Sequence, residues 1–326
     1  MMNCFLAERL SGRIVLFTEH NNKKSEEAMK KKGQETNNPE TKYPAPPFKK
    51  QPQSPPGETK LMDPLPDHGE NSYVGHGLME GKVVIITGGD SGICKAIAIA
   101  MAREGADIVI AYKDEIENED AYDTAEWVKQ AGSKVILFKA DLGEELNCKK
   151  LVEQCITEFK KIDVLINNAA YQMTYKDIED ITAEEWNKTF EVNLSAMFYL
   201  VKYAKKYIPA GGSIINTTLV NAYDPNPTLL PYAASKAAIQ NFTSSLAQKF
   251  LEENTGIRVN AVAPGPIWTP LIPSTIPDHE KFGSNTPMGR PGQPAEIAPI
   301  YVFLASDAAS YISGATIPAT GGRVTI

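Results

Sequence analysis

From Lys82 onward the chain alternates short apolar runs with longer stretches in which apolar residues recur every three or four positions. The runs KVVIIT (82–87), ADIVIAY (106–112), KVILFKA (134–140), IDVLINNA (162–169), GSIINTT (212–218) and IRVNAVAP (257–264) are rich in β-branched residues. Near-continuous apolarity of this kind marks strands covered on both faces. Helical periodicity follows the first run through Met101 and returns over 120–131, 144–159, 184–207 and 232–253. Strands alternating with helices of this length predict stacked βαβ units. The expected fold is α/β, a doubly wound parallel sheet of Rossmann type, in one domain over residues 76–326 with no internal repeat.

Residues 1–75 follow another pattern. Nine of the 23 prolines fall between Pro39 and Pro66, among Lys, Glu, Gln and Asn. Such a segment cannot propagate a helix and buries little apolar surface to offset its ordering entropy. Two readings stand: a disordered tail, or an extended arm that packs on its own or a neighbouring subunit through Tyr43, Phe48 and Leu61. Met29 is a candidate second start. The first residues, MMNCFLAERLSGRIVLF, are interrupted by Glu8, Arg9 and Arg13 and lack a small-residue cleavage site, so no signal peptide is expected.

Composition narrows the function classes. The 326 residues carry 33 basic and 40 acidic side chains, a net charge of −7. An electrostatic nucleic-acid or membrane-surface binder would carry a basic stripe instead. No apolar run approaches the ~20 residues that span a bilayer. Cys4, Cys94, Cys148 and Cys155 form no CxxC pair, and His20, His68, His76 and His279 have no ligand spacing, so neither a disulfide framework nor a metal site is expected. A reducing, cytoplasmic setting fits.

Candidate chemistry lies at the strand ends. After the first strand comes TGGDSGIC (87–94), whose glycines permit a sharp turn and a close approach of backbone to a pyrophosphate. At the second strand end Lys113 suits a ribose 2′-phosphate and so NADP, while Asp114 and Glu115 pull towards NAD. Tyr232 and Lys236 stand at i and i+4 of one helix and share a face. An ammonium there should lower the phenol from its usual ~10 and make it a usable acid or base.

The order of motifs carries a resemblance. TGGDSGI, Asp141-Leu142, Asn167-Asn168-Ala169-Ala170, Val192-Asn193-Leu194, Tyr232-x-x-x-Lys236 and Pro264-Gly265-Pro266-Ile267-x-Thr269 follow one another, each at a strand end or helix site. Residues 78–326 thus resemble the single-domain branch of the short-chain dehydrogenase/reductase family, most of all its bacterial general stress reductases and plant glucose/ribitol dehydrogenase homologues. The resemblance implies an NADP- or NAD-dependent oxidoreductase acting on a small aldehyde, ketone or polyol. Gly88, Ser91, Gly92 and Ile93 would line the cofactor phosphates, Asp141 and Leu142 the adenine, and Asn168 and Ala169 the adenosine ribose. Tyr232 would be the general acid, Lys236 would hold the nicotinamide ribose, and Asn193 would support a water-linked proton relay. Pro264, Gly265, Ile267 and Thr269 would clasp the nicotinamide, and a mobile lid after Thr269, through about Arg290, would select the substrate. A tetramer is implied through the helices at 184–207 and 232–253. Enoyl reductases of this resemblance use a longer Tyr-to-Lys spacing.

The chain also departs from the family pattern. Thirteen residues before Tyr232, where the family places a substrate-binding serine, stands Leu219. Loss of one oxyanion donor costs ~10²–10³ in turnover. Thr218, Asn221 or a water are the substitutes within reach. Cys94 replaces the last glycine of the phosphate loop and should crowd the packing or the phosphate. The alternative to an active enzyme is therefore a cofactor-binding pseudoenzyme, a sensor or partner subunit, and a further one is a structural role without cofactor.

Overall fold

The computed structural model describes residues 38–323. Met29, the N-terminal apolar stretch, Cys4 and His20 lie outside the described residues. Residues 38–42 make a short turn of their own, in which Thr41 N donates to Asn38 O (3.1 Å).

Among the described residues seven strands form one sheet: β1 (Val83–Thr87), β2 (Asp107–Tyr112), β3 (Val135–Lys139), β4 (Val164–Asn167), β5 (Ser213–Thr217), β6 (Arg258–Pro264) and β7 (Thr316–Ala319). All neighbours pair in parallel, in the order β3-β2-β1-β4-β5-β6-β7. This is the expected doubly wound, Rossmann-like sheet, each foreseen strand being trimmed only at its ends. The helices are α1 (Gly92–Arg103), α2 (Asn118–Gln130), α3 (Glu145–Phe159), α4 (Ala183–Phe190), α5 (Ala196–Ala204), α6 (Leu230–Glu252), α7 (Leu271–Thr275) and α8 (Pro294–Ala305).

The period-2 geometry of the strands divides their side chains between two cores. Val84 and Ile86 of β1 join Ile108, Ile110, Ile166 and Val262 beneath α1 and α8. Val83 and Ile85 join Val109, Leu165, Ile214 and Val259 beneath α3, α5 and α6. Each fully buried aliphatic side chain contributes ~1.5–3 kcal/mol, so covering both faces is what stabilises so apolar a sheet.

Two elements depart from expectation. The long helix foreseen over 184–207 is interrupted: α4 passes into a π-helical turn, Glu191–Ser195, before α5. The widened turn surrounds Asn193, which is fully buried and whose amide is held by Tyr171 and Ser235. Helix α8 was not foreseen. It is apolar on most sides and contains Pro299, so it shows no amphipathic stripe. Its start is set by a capping box in which Gln293 and Glu296 satisfy each other's backbone N–H groups.

Residues 43–75 lie against this body as an extended arm. Phe48 stacks on Trp268 at 4.2 Å between ring centroids, and with Met62 and Ile272 it forms a third, smaller core. Tyr43 donates to Asp67 (2.6 Å). Leu61 is exposed, and its neighbour Met62 is buried instead.

Candidate active site

The strand order reverses between β1 and β4, the point at which open α/β sheets bind ligands beyond their carboxyl ends. The chain is fitted for this locally. Gly88 has φ +65°, and a Cβ there would come within 3.2 Å of the Ala169 Cα, so only glycine lets the ends of β1 and β4 approach. Thr87 draws the second loop in: its hydroxyl accepts from Asn168 N (2.9 Å) and Ala169 N (3.1 Å). Gly92 opens α1 at φ +53°, and its N-cap, Ser91, makes no capping bond to the backbone. The first N–H groups of α1 are therefore not satisfied by their cap, and an anion would complete them.

A cavity of about 500 Å³ occupies this crevice. Gly88, Ser91, Gly92, Ile93, Asn168 and Ala169 line one end, and Tyr232, Lys236, Leu219, Pro264, Gly265, Ile267 and Thr269 line the rest. Four residues expected at the site stand back from that lining: Lys113, Asp141, Leu142 and Asn193. Lys113 pairs with Asp141 (3.1 Å) at the ends of β2 and β3. Burial raises the Asp141 carboxyl, but the Gly143 N–H and Lys113 outweigh it and hold it below the usual range. Leu142 is buried in the core beneath α3.

Tyr232 and Lys236 sit on the first turns of α6, both buried. The Lys236 ammonium stands 5.3 Å from the centre of the Tyr232 ring and donates to the Thr217 carbonyl (2.9 Å). Burial pushes the phenol above its usual value and the ammonium down to about 7. Lys236 does not lower the tyrosine as expected: its amine is turned to a backbone carbonyl, and burial alone gives the direction of the shift. At neutral pH the phenol is protonated. Asn193 is not in the lining. Its amide accepts from Tyr171 N (2.6 Å) and donates to Tyr171 O (3.0 Å) and to the Ser235 hydroxyl (2.9 Å), which itself donates to Tyr232 O (2.7 Å). The Asn193 side chain thus clamps α6 to the loop after β4.

Thr218 is no substitute for the missing serine, because its hydroxyl donates to the Lys236 carbonyl (2.7 Å). Asn221, in the same turn as Leu219, does line the cavity. Cys94 neither enters the cavity lining nor crowds it; it packs fully buried in the core under α1. Among the wall residues not foreseen are two carboxylates, Asp90 and Glu117. Burial raises both carboxyls, and the neighbouring Glu117 raises Asp90 further. Asp114-x-x-Glu117 is a capping-box pattern that signals a fixed carboxylate there.

A family model described as "Enoyl-(Acyl carrier protein) reductase" matches residues 88–323. The general stress protein 39 of Bacillus subtilis is 49% identical over 270 residues, covering 82% of this chain and 93% of that protein. The chain belongs to the short-chain dehydrogenase/reductase family. Another similar member is the glucose and ribitol dehydrogenase of Daucus carota, 45% identical over 83% of this chain and 95% of its own. A short-chain dehydrogenase of Burkholderia cenocepacia, solved in complex with NADP, superposes with a TM-score of 0.70 at 28% identity, covering 75% of this chain and 98% of that one. As a member of this family the chain is an NAD(P)-dependent oxidoreductase.

The residues present fit such a cofactor. The cradle at Gly88 and Gly92 is space that a Cβ would fill: at Gly92 it would meet the Thr269 side chain at 3.2 Å. When bound, the nicotinamide supplies or accepts the hydride. What the dehydrogenase fold itself provides is the uncapped first turn of α1, a buried phenol at Tyr232 and a buried amine at Lys236.

Proposed function

We propose that this protein reduces a small aldehyde or ketone, or oxidises the corresponding alcohol or polyol, with Tyr232 giving or taking the proton at the substrate oxygen. The observation that carries this reading is the shared cavity: a protonated, buried phenol, a buried lysine and a glycine cradle line one space. Lys236 orients the cofactor's ribose end, Asn193 holds α6 in place, and Leu219, with Asn221 beside it, faces the substrate. The four-residue Tyr232–Lys236 spacing favours carbonyl over enoyl reduction, and the polyol side accords with the carrot relative's name. NADP(H) is favoured by Lys113 at the end of β2. Asp141 and Leu142 serve the adenine end, and Asn168 and Ala169 the adenosine ribose.

Residues 76–326 make the catalytic domain, and the preceding segment its appendage. Phe198 of α5 is half exposed beside a groove formed with Ala238, Asn241 and Phe242 of α6, and we propose that copies of the chain associate through this face, as a tetramer. Cys94, Cys148 and Cys155 are free and buried, in keeping with a reducing, cytoplasmic setting.

A second reading, a cofactor-binding pseudoenzyme, is favoured by Leu219 alone. The test is oxidation of NADPH and NADH against small aldehydes and ketones by the protein and its Leu219→Ser and Asn221→Ala variants. Expected is measurable turnover that falls about 10²-fold in Asn221→Ala and changes little in Leu219→Ser, because the amide supplies the missing donor. An inert protein that serine revives about a hundredfold or more is the pseudoenzyme.

A further inference from the structure

The segment foreseen as a lid, after Thr269 through about Arg290, forms together with Trp268 a roof over the substrate end of the cavity. Leu271, Ile272, Ile276 and Phe282 line it. This roof is tied down from two sides. From the loop after β4, Gln172 Nε2 donates to Thr275 Oγ1 and Thr174 Oγ1 to Thr275 O, both at 2.8 Å.

The other side is the N-terminal arm, and it engages the roof along its whole length. Phe48 stacks on Trp268 and donates its N–H to Glu280 O (2.8 Å). Gln51 N donates to His279 Nε2 (2.8 Å), and Gln53 N to Pro273 O (3.0 Å). Ser274 Oγ reaches Pro56 O (3.2 Å), and Trp268 Nε1 reaches Pro64 O (2.8 Å). At Gly57, φ +85°, a Cβ would stand 2.4 Å from the Pro270 carbonyl oxygen, so arm and roof touch backbone to backbone. Pro56 itself is part of the cavity wall.

Beyond the roof the arm is anchored on the rigid body. Thr59 N and Oγ1 both donate to Asp120 Oδ2 (3.1 and 3.0 Å). Asp67 N donates to Gln293 Oε1, and Ala295 N to Asp67 O, each at 2.9 Å. The Arg103 guanidinium then takes three carbonyls, of Gly69, Glu70 and Tyr73. The arm precedes the residues that the family model spans.

We propose that residues 43–67 are a strap that fixes the roof over the substrate cleft and, with Pro56 as wall, sets the upper size of the carbonyl substrate. The proposal rests on the carbonyl-reductase reading for its substrate. Phe48, Gln51 and Gly57 are positioning residues: they act through the roof.

The test uses the full chain and its Phe48→Ala and Gly57→Ala variants, with Lys50→Ala, an exposed position of the arm, as control. Gly57→Ala keeps the stack and drives the arm off Pro270, so it carries the test should Phe48→Ala not fold. The first readout is trypsin cleavage after Lys281 in the roof, followed by mass spectrometry. The second is kcat and KM with NADPH across straight-chain aldehydes from propanal to decanal. Expected in both variants is cleavage about tenfold faster, from local opening of the freed roof. Expected too is a KM for propanal raised about fivefold at nearly unchanged kcat, and a decanal-to-propanal ratio of kcat/KM raised about tenfold. Unchanged cleavage and an unchanged ratio in folded variants overturn the strap. Faster cleavage with an unchanged ratio also overturns the proposal, since the arm would then hold the roof without shaping the cleft. If the parent protein reduces no aldehyde of the series, the carbonyl reading fails, and cleavage alone then decides whether the strap stands.

Discussion

At the scale of single residues, Asp90 has the sharpest consequence. Its carboxyl is buried beside Glu117, and burial raises it to about 8, far above its value in an unfolded chain. The folded protein therefore holds this proton at pH values where the unfolded chain has lost it. The stability so contributed is complete below pH ~4 and is lost as pH rises through the folded value. Asp90→Asn removes the loss. Its stability relative to the parent, from urea unfolding, should grow by about 1–2 kcal/mol between pH 5 and pH 9. Lys236 acts in the opposite sense, because its folded value, about 7, lies below the unfolded one. Its cost fades as pH climbs, but it is common to both proteins and cancels in the comparison. A difference flat with pH would mean that Asp90 is ionised throughout.

Among elements, α8 shows how one ion pair can serve packing and capping together. The Arg290 guanidinium is 1% exposed and grips Glu296 through both carboxylate oxygens (2.8 and 2.9 Å), while Glu296 also accepts from Gln293 N (2.9 Å). Arg290 closes the roof segment and lies over the Tyr43 ring, 5.2 Å from its centre. Removing one partner of a buried pair strands the other, at ~3–5 kcal/mol. Glu296 is partly exposed, so Arg290→Met should cost less, about 2 kcal/mol in thermal or urea unfolding. No loss would mean that the pair is spent on desolvation alone. Where elements could be foreseen, the reason was local: VVIIT or DIVIAY can hardly be anything but buried strand. Where they could not, the cause was distant. The π-turn depends on Asn193 meeting Tyr171 and Ser235, and α8 hides its helical period because most of its faces are covered.

For the molecule as a whole, the face made by α5 and α6 carries the assembly proposal. Phe198→Asp places a charge in its centre and should lower the mass seen by light scattering to that of a smaller species, with cofactor affinity retained. An unchanged mass would place the subunit contact elsewhere. The site was legible at this scale because its motifs follow one another along the chain, each at a strand end. Tyr232, Lys236 and the glycine cradle line one cavity. The state of the tyrosine did not follow, since spacing alone says nothing of how far burial outweighs a neighbouring charge. Nor did the arm's docking, which pairs Phe48 with Trp268 across 220 positions of sequence.

That last separation bears on how the molecule comes into being. Every partner the arm finds on the roof lies in the final quarter of the chain, between Trp268 and Phe282. Synthesis runs from the N-terminus, so the arm emerges before the roof and must wait until nearly the whole polypeptide has been made. Contacts of such sequence separation are also slow to form, because the loop entropy is lost before any of them is gained. The cleft is thus completed by its oldest residues last, and a nascent chain cannot present a finished substrate site until its C-terminal quarter has arrived.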